Sequence, residues 1–385
     1  MSGVLLGFAL GAFGLGPAQA GVVITAGLAG GACAALLVTV GGDRAGRRRS
    51  LVLTGLLTAA GGLVLAASSH LVVLIVAAFL GMANGMGRDR GAALILEQAI
   101  LPGTAADSDR TRVIAWYHLL QDVGIAVGGL CAGLPALLVL ERYGFTGALP
   151  LRIAMAVPAV LALAGALCAL GLGPSVEPQA PAGARAPVTR ETRWILVRVS
   201  SLFAIDSIAG GFLTTALLAW FFYQRFGAPV WVVGVLFFFA RLLNAVSHLG
   251  SAWLAKRVGL VNTMVFTHIP SSLVLLTVPW APSFPVAAGL FLLREALVEM
   301  DVPARQSWLM AVVKPSERTL ASGVTHVVRL CGWAVAPAFA GFLAAGTTLG
   351  APLVAGASLK IAYDLLLWRA FRNTRPPEEG GPARA

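Results

Sequence analysis

Charge is what this sequence has least of. Asp, Glu, Lys and Arg make up 12% of its 385 residues, against about a quarter in a soluble domain. So few charges cannot cover a water-facing surface, which excludes an ordinary soluble enzyme and a disordered chain. Cysteine is scarce too. Cys33, Cys131, Cys168 and Cys331 each sit inside an apolar run, with no CxxC and no Cys/His ligand spacing. A disulfide scaffold and a metal site are therefore not expected, and we read all four as packing residues. The motifs of enzyme chemistry are also missing: no P-loop, no GxSxG, no HExxH. We expect no enzymatic activity, no cofactor, and no ATP-driven pumping without a partner.

What the sequence has in quantity is apolar: 58% hydrophobic residues, 45 glycines and a mean hydropathy of +0.83. That composition points to an all-α polytopic membrane protein. The net charge of +11 does not indicate nucleic acid as a partner. Its basic residues fall in short clusters between apolar runs, as a membrane orientation signal does.

A membrane helix needs about 20 mostly apolar residues. Spans are expected near 18–41, 50–68, 71–99, 112–138, 151–173, 194–223, 230–254, 262–280, 283–312, 319–345 and 349–370, preceded by a shorter apolar stretch at 1–15. One alternate set of loops carries Asp43, Arg44, Arg47, Arg48 and Arg49, then Arg110 and Arg112, Arg185, Arg190 and Arg193, Lys256 and Arg257, Lys314 and Arg318, and Arg369, Arg372 and Arg375. That set belongs in the cytoplasm, which places the C-terminus there and the protein in a cell (inner) membrane. Residues 174–193 are rich in Pro and Ala and read as a cytoplasmic linker. The expected organisation is an N-terminal bundle at 1–173, the linker at 174–193, a C-terminal bundle at 194–370 and a cytoplasmic tail at 371–385.

The two halves repeat. At one constant offset Phe13-Gly14 falls on Phe226-Gly227, Gly21 on Gly234 and Gly46 on Gly259. At a slightly smaller offset Ser108-Asp109-Arg110-Thr111 falls on Ser316-Glu317-Arg318-Thr319, His118 on His326 and Gly124 on Gly332. A parallel repeat of six plus six helices is a transporter plan. The register sets Met1 against Thr214, while the seventh span opens near Trp194. The first helix is therefore short, and we expect the sequence to begin about 20 residues late. The alternative is a signal peptide ending at Ala18-Gln19-Ala20, though it has no basic leading region.

Between the second and third spans lies Gly41-Gly42-Asp43-Arg44-Ala45-Gly46-Arg47-Arg48-Arg49. It resembles the signature loop of the major facilitator superfamily, G-x-x-x-D-R-x-G-R-R, with Thr39 where the leading Gly stands. The resemblance implies the MFS fold: two six-helix bundles related by a pseudo-twofold, here with a short first helix. It also implies that Asp43, Arg44, Gly46 and Arg47 form a conformational latch at a neighbouring helix end. Asp89 and Asp301, similarly placed in the repeat, are assigned to the same latch. Gly124, Gly128 and Gly133 resemble loosely the G-x-x-x-G-P-x-x-G-G motif of proton-linked drug exporters, with Gly129 in place of the Pro. They also suit plain close packing of helices.

Charged residues within apolar spans cost about 2.5–3.5 kcal/mol each on insertion scales and mark function or pairing. Asp206, Arg241, Arg294 and Glu295 lie near the middle of their spans, and Asp122 is comparably deep. These five and Glu299 are the candidate substrate and proton site. Glu295 and Glu299 stand at i, i+4, where like charges repel. Arg241 is a possible partner of Asp206, and Lys360 and Asp364 read as a local i, i+4 ion pair. Phe237, Phe238, Phe239 and Trp308 are candidate apolar walls. The expected protein is a monomeric secondary transporter in the lipid bilayer. It would use alternating access and couple protons to the export of a small organic solute. The alternatives are an uptake or facilitated-diffusion permease and a non-transporting sensor or degenerate permease.

Overall fold

A computed structural model of the chain describes residues 2–87, 91–100, 110–132, 144, 149–177, 189–313 and 318–372. Among these residues the structure is helical. The helices, in chain order, are α1 (Ser2–Ala12), α2 (Pro17–Ala45), α3 (Arg47–Ala67), α4 (Leu71–Leu80), α5 (Ala92–Ile100), α6 (Arg110–Cys131) and α7 (Leu149–Leu170), followed by α8 (Arg190–Gly211), α9 (Thr215–Phe226), α10 (Val230–Val258), α11 (Leu260–Thr277), α12 (Phe284–Val298), α13 (Asp301–Val312), α14 (Arg318–Gly346) and α15 (Ala351–Phe371).

Eight of the described helical stretches are long and apolar enough to cross a membrane. Three expected spans contain a helix break, and one of these, Thr192–Phe226, is among the eight. The run 71–99 divides into α4 and α5, because Met82, Gly87 and Gly91 take positive φ (51°, 70° and 54°) and a helix cannot continue through that conformation. The run 194–223 divides at Phe212-Leu213. Thr214 then restarts the helix as α9, its side chain accepting the N–H of Leu217, which satisfies an orphan donor of the new first turn. The run 283–312 divides at Glu299-Met300. α8 opens at Arg190 behind Thr189, whose hydroxyl accepts from the Thr192 N–H; residues 178–188 of the expected linker lie outside the described residues.

The chain forms two compact units. The first holds Met1–Arg185, Thr214–Phe238 and Trp333–Thr347; the second holds Ala186–Leu213, Phe239–Gly332 and Thr348–Ala385.

In the first unit α3 packs on α7, α1 on α9, and α2 on α4. Glycine lets backbones touch. A Cβ on Gly30 of α2 would stand 1.9 Å from the Phe79 carbonyl oxygen of α4. Gly21 of α2 and Gly341 of α14 meet in the same way, each Cβ falling 3.0 Å from the other's Cα. The expected packing role of Gly124 is not what the structure shows, because a Cβ there would meet nothing within 4 Å. The close approach on α6 lies at Gly129, whose carbonyl oxygen would be 2.7 Å from a Cβ on Gly234. Gly128 is half-buried, and Gly133 falls outside the described residues.

In the second unit α11 packs against α12, α13 and α15, and α8 against α15. Its apolar core gathers Leu196, Phe203, Met264, Trp308, Tyr363 and Phe371. Trp308 stacks edge-on to Phe371 at 4.6 Å and is 1% exposed. It is a core residue and not a cavity wall. Phe237, which belongs to the first unit, is buried, while Phe239 is exposed.

Candidate functional site: a buried chain of charges in the second unit

Four helices of the second unit each place ionisable side chains in its interior. α8 brings Asp206, α11 brings His268, α13 brings Asp301 and Arg305, and α15 brings Lys360 and Asp364. All six are at most 7% exposed. On α15, Lys360 and Asp364 are one turn apart and share a face with Tyr363. On α13, Asp301 and Arg305 stand at i, i+4.

These side chains form one continuous line. Asp364 Oδ1 lies 2.9 Å from His268 Nδ1. His268 Nε2 lies 3.2 Å from Lys360 Nζ. Lys360 donates to Asp206 Oδ1 at 2.8 Å, and Arg305 donates to Asp206 Oδ2 at 3.1 Å. Arg305 also pairs with Asp301 at 3.2 Å. Its guanidinium sits 5.2 Å above the ring of Phe203, which adds a cation–π contact to the ion pairs. The ring of Tyr363 meets His268 edge-on at 6.3 Å.

The line fixes the histidine tautomer. An ammonium has three donors and no acceptor, so a Lys360 ammonium requires Nε2 to accept. The imidazole proton then sits on Nδ1 and is donated to Asp364. Asp206 carries the central role: both of its oxygens are held, each by a cation from a different helix. In a low dielectric such pairing is what makes a buried carboxylate tolerable, and removing one partner costs about 3–5 kcal/mol.

Two expected pairings are corrected by this arrangement. Asp206 is bound by Lys360 and Arg305, and not by Arg241, which is half-buried on α10. Lys360 and Asp364 do not form a local pair. The lysine turns to Asp206 and the aspartate to His268.

A second group lies nearby in sequence. Arg294 donates to Glu295 Oε1, and Asn244 of α10 donates to Glu295 Oε2 at 3.0 Å. Glu295 is therefore neutralised by its neighbour. Glu299 is separated from it as the C-cap of α12 and is half-buried. The expected repulsion between these two glutamates is relieved by the Arg294 pair.

Asp43 and Arg44 lie in the last turn of α2 and not in a loop, and the junction that follows them is held by a residue the sequence did not single out. Gly46, at φ 92°, joins α2 to α3. Glu177, just past α7, accepts the backbone N–H groups of Arg47 at 2.8 Å and Arg48 at 3.3 Å. It thus caps the positive end of α3. The Arg48 side chain reaches back to the Leu170 carbonyl. Arg44 is exposed at the end of α2. The side chains of Asp43 and Asp122, and all of Asp89, lie outside the described residues. Asp301 belongs to the buried line and not to this junction.

Among the described residues no group of His, Cys, Asp and Glu is arranged to hold a metal ion. The first unit contains a cavity of about 200 Å³ beside the break between α4 and α5, lined by Leu5, Leu6, Thr58, Leu65, Asn84 and Met155.

Comparison with known proteins follows the same architecture. A protein of Saccharomyces cerevisiae known as an uncharacterized membrane protein is 30% identical over 181 residues, which span 47% of this chain and 40% of the yeast protein. The matched stretch is therefore less than half the length of that relative. Among solved structures, the nucleoside transporter NupG superposes with a TM-score of 0.70 at 14% identity, covering 96% of this chain and 97% of that one. The inward open xylose transporter XylE from E. coli gives 0.70 at 12% identity, covering 98% and 96%. A bacterial homolog of the human lysosomal transporter Spinster gives 0.68 at 16% identity, covering 96% and 92%. At these identities the likeness is one of fold. The family profile matches residues 1–299, and on that match the chain belongs to the Major Facilitator Superfamily, as a multi-pass membrane protein.

Proposed function

We propose that this protein is a secondary active transporter that couples proton movement to the export of a small organic solute by alternating access, with Asp206 as its coupling carboxylate. The observation that carries the reading is Asp206 itself. It is a buried carboxylate on α8, held between Lys360 and Arg305 from two further helices. A purely structural core has little use for such a group, since apolar side chains of similar volume fill the space at no electrostatic cost. A transport cycle does have a use for it: a carboxylate that exchanges partners lets ligand or proton bias two states differently. Arg305 and Lys360 act as competing counter-ions, and Asp301 holds Arg305 when Asp206 lets go. Glu295, already neutralised by Arg294 and Asn244, serves as a structural anchor for α12. The apolar cavity of the first unit fits a solute with an apolar portion.

The test uses everted membrane vesicles that report their internal pH by dye fluorescence. A panel of small organic solutes should include at least one that moves protons out of acidified vesicles carrying the protein. Asp206→Asn should weaken that response at least tenfold, whereas Glu295→Gln should leave most of it. If no solute in a broad panel moves protons, the coupled reading fails. Counterflow of a labelled solute without a pH response would make the protein a facilitator.

A further inference from the structure

We propose that His268 is a proton-binding site, and that a proton on its Nε2 displaces Lys360 from its seat between His268 and Asp206. The inference rests on the transporter reading for its use in a cycle, though not for its chemistry.

The Asp364 contact is the first ground. Asp206 and Asp301 face Lys360 and Arg305, with Arg329 of α14 as a further cation on the Arg305 side. Asp364 is held differently. It is 0% exposed, its hydrogen-bonded partner is the imidazole of His268, and its Oδ2 has no hydrogen-bond partner among the described residues. With His268 neutral, that hydrogen bond comes from an uncharged donor, and a second proton on the imidazole turns the contact into an ion pair.

Geometry is the second ground. Nε2 is 3.2 Å from Lys360 Nζ. When Nε2 takes a proton from hydronium, a new N–H bond uses the lone pair that accepted from Lys360. Two donors, both cationic, then face each other across that distance, and the ammonium has to move. Lys360 keeps its three protons and leaves; the imidazolium Nε2–H is the cation that takes over its side of Asp206. Proton binding is thereby converted into the movement of a charge on α15.

The other charges packed around His268 do not change this. On α8 there is Asp206. On α13, Arg305 and Asp301 hold each other. On α12, Arg294 and Glu295 hold each other. Arg329 of α14 acts on the Arg305 side of the line, with Asp206, Asp301 and Tyr363 as its electrostatic neighbours. On α15 the ring of Tyr363 meets the imidazole edge-on, and Lys360 is the group at Nε2.

The experiment needs no solute. The full chain, labelled with ¹⁵N-histidine and reconstituted in lipid nanodiscs, is followed by imidazole ¹⁵N NMR between pH 8 and pH 5. The His268 signals are those missing in His268→Gln, a substitution that keeps an acceptor for Lys360. At pH 8 His268 should show a protonated Nδ1 and a bare Nε2, and on acidification both nitrogens should be protonated. Lys360→Met, judged folded by its elution on gel filtration, should change the proton concentration at half-titration about tenfold or more. A bare Nδ1 at pH 8, an imidazole neutral down to pH 5, or a titration indifferent to Lys360→Met would each overturn the proposal. Titration coupled to Lys360 in a protein that moves no solute would instead leave this site standing and remove the transporter reading.

Discussion

Asp206 shows how three helices come to depend on one side chain. Its two oxygens are satisfied at 2.8 Å and 3.1 Å by Lys360 and Arg305, so removing either side leaves charge stranded in a dry interior. Asp206→Asn and Lys360→Met should each lower the thermal unfolding midpoint in detergent, each costing about 3 kcal/mol. The double variant restores the charge count and should cost clearly less than the two together. Strict additivity would mean that the two groups do not interact. Part of this site was legible in the sequence. Asp206 stood out because an acid within an apolar run demands a partner. The identity of the partner was not legible, since Lys360 and Asp364 satisfy the i, i+4 rule on their own helix and nothing local says that both turn away. His268 sits unmarked in the apolar run 260–280; its importance comes from facing α15, which is a property of packing. Glu177 lies some 130 positions from the backbone it caps, so no pattern in its own neighbourhood announces it.

The helices themselves were read from hydropathy almost as they stand, with α2, α3, α7, α10, α11 and α15 falling on expected spans. The breaks were not, because a hydropathy run continues smoothly through Gly81-Met82 and Phe212-Leu213 while the backbone does not. Two predictions belong at this scale. Glu177→Ala removes the acceptor for two N–H groups at the start of α3 and should lower stability by about 1 kcal/mol, read as an earlier unfolding midpoint; Glu177→Gln, which keeps an acceptor oxygen, should lose less. Gly30→Ala places a methyl 1.9 Å from the Phe79 carbonyl oxygen, a distance that backbone can relieve only by moving α4 away from α2. A loss above 2 kcal/mol is expected, whereas Gly124→Ala, with open space around it, should be tolerated. Equal effects of the two alanines would contradict the packing described for α2 and α4.

For the whole molecule, the family match gives a multi-pass membrane protein of the Major Facilitator Superfamily, and the transport cycle and the entry of a proton through the charge line of the second unit are the proposal made for it. The repeat seen in the sequence reappears in the pairing of α1 with α9, which occupy matching positions in the two halves and pack together in the first unit. The charges do not repeat in the same way: the described buried line draws on α8, α11, α13 and α15 of the second half. Among the described residues the buried charge line lies in the second unit and the apolar cavity in the first. The most direct test separates exchange from coupling in proteoliposomes loaded with a solute that the vesicle screen identifies. Unmodified protein should support both counterflow of the labelled solute and its movement against a gradient driven by a pH difference. Asp206→Asn should keep counterflow within a few-fold and lose the pH-driven movement. Undiminished pH-driven movement in Asp206→Asn would contradict the assignment of Asp206 as the coupling carboxylate.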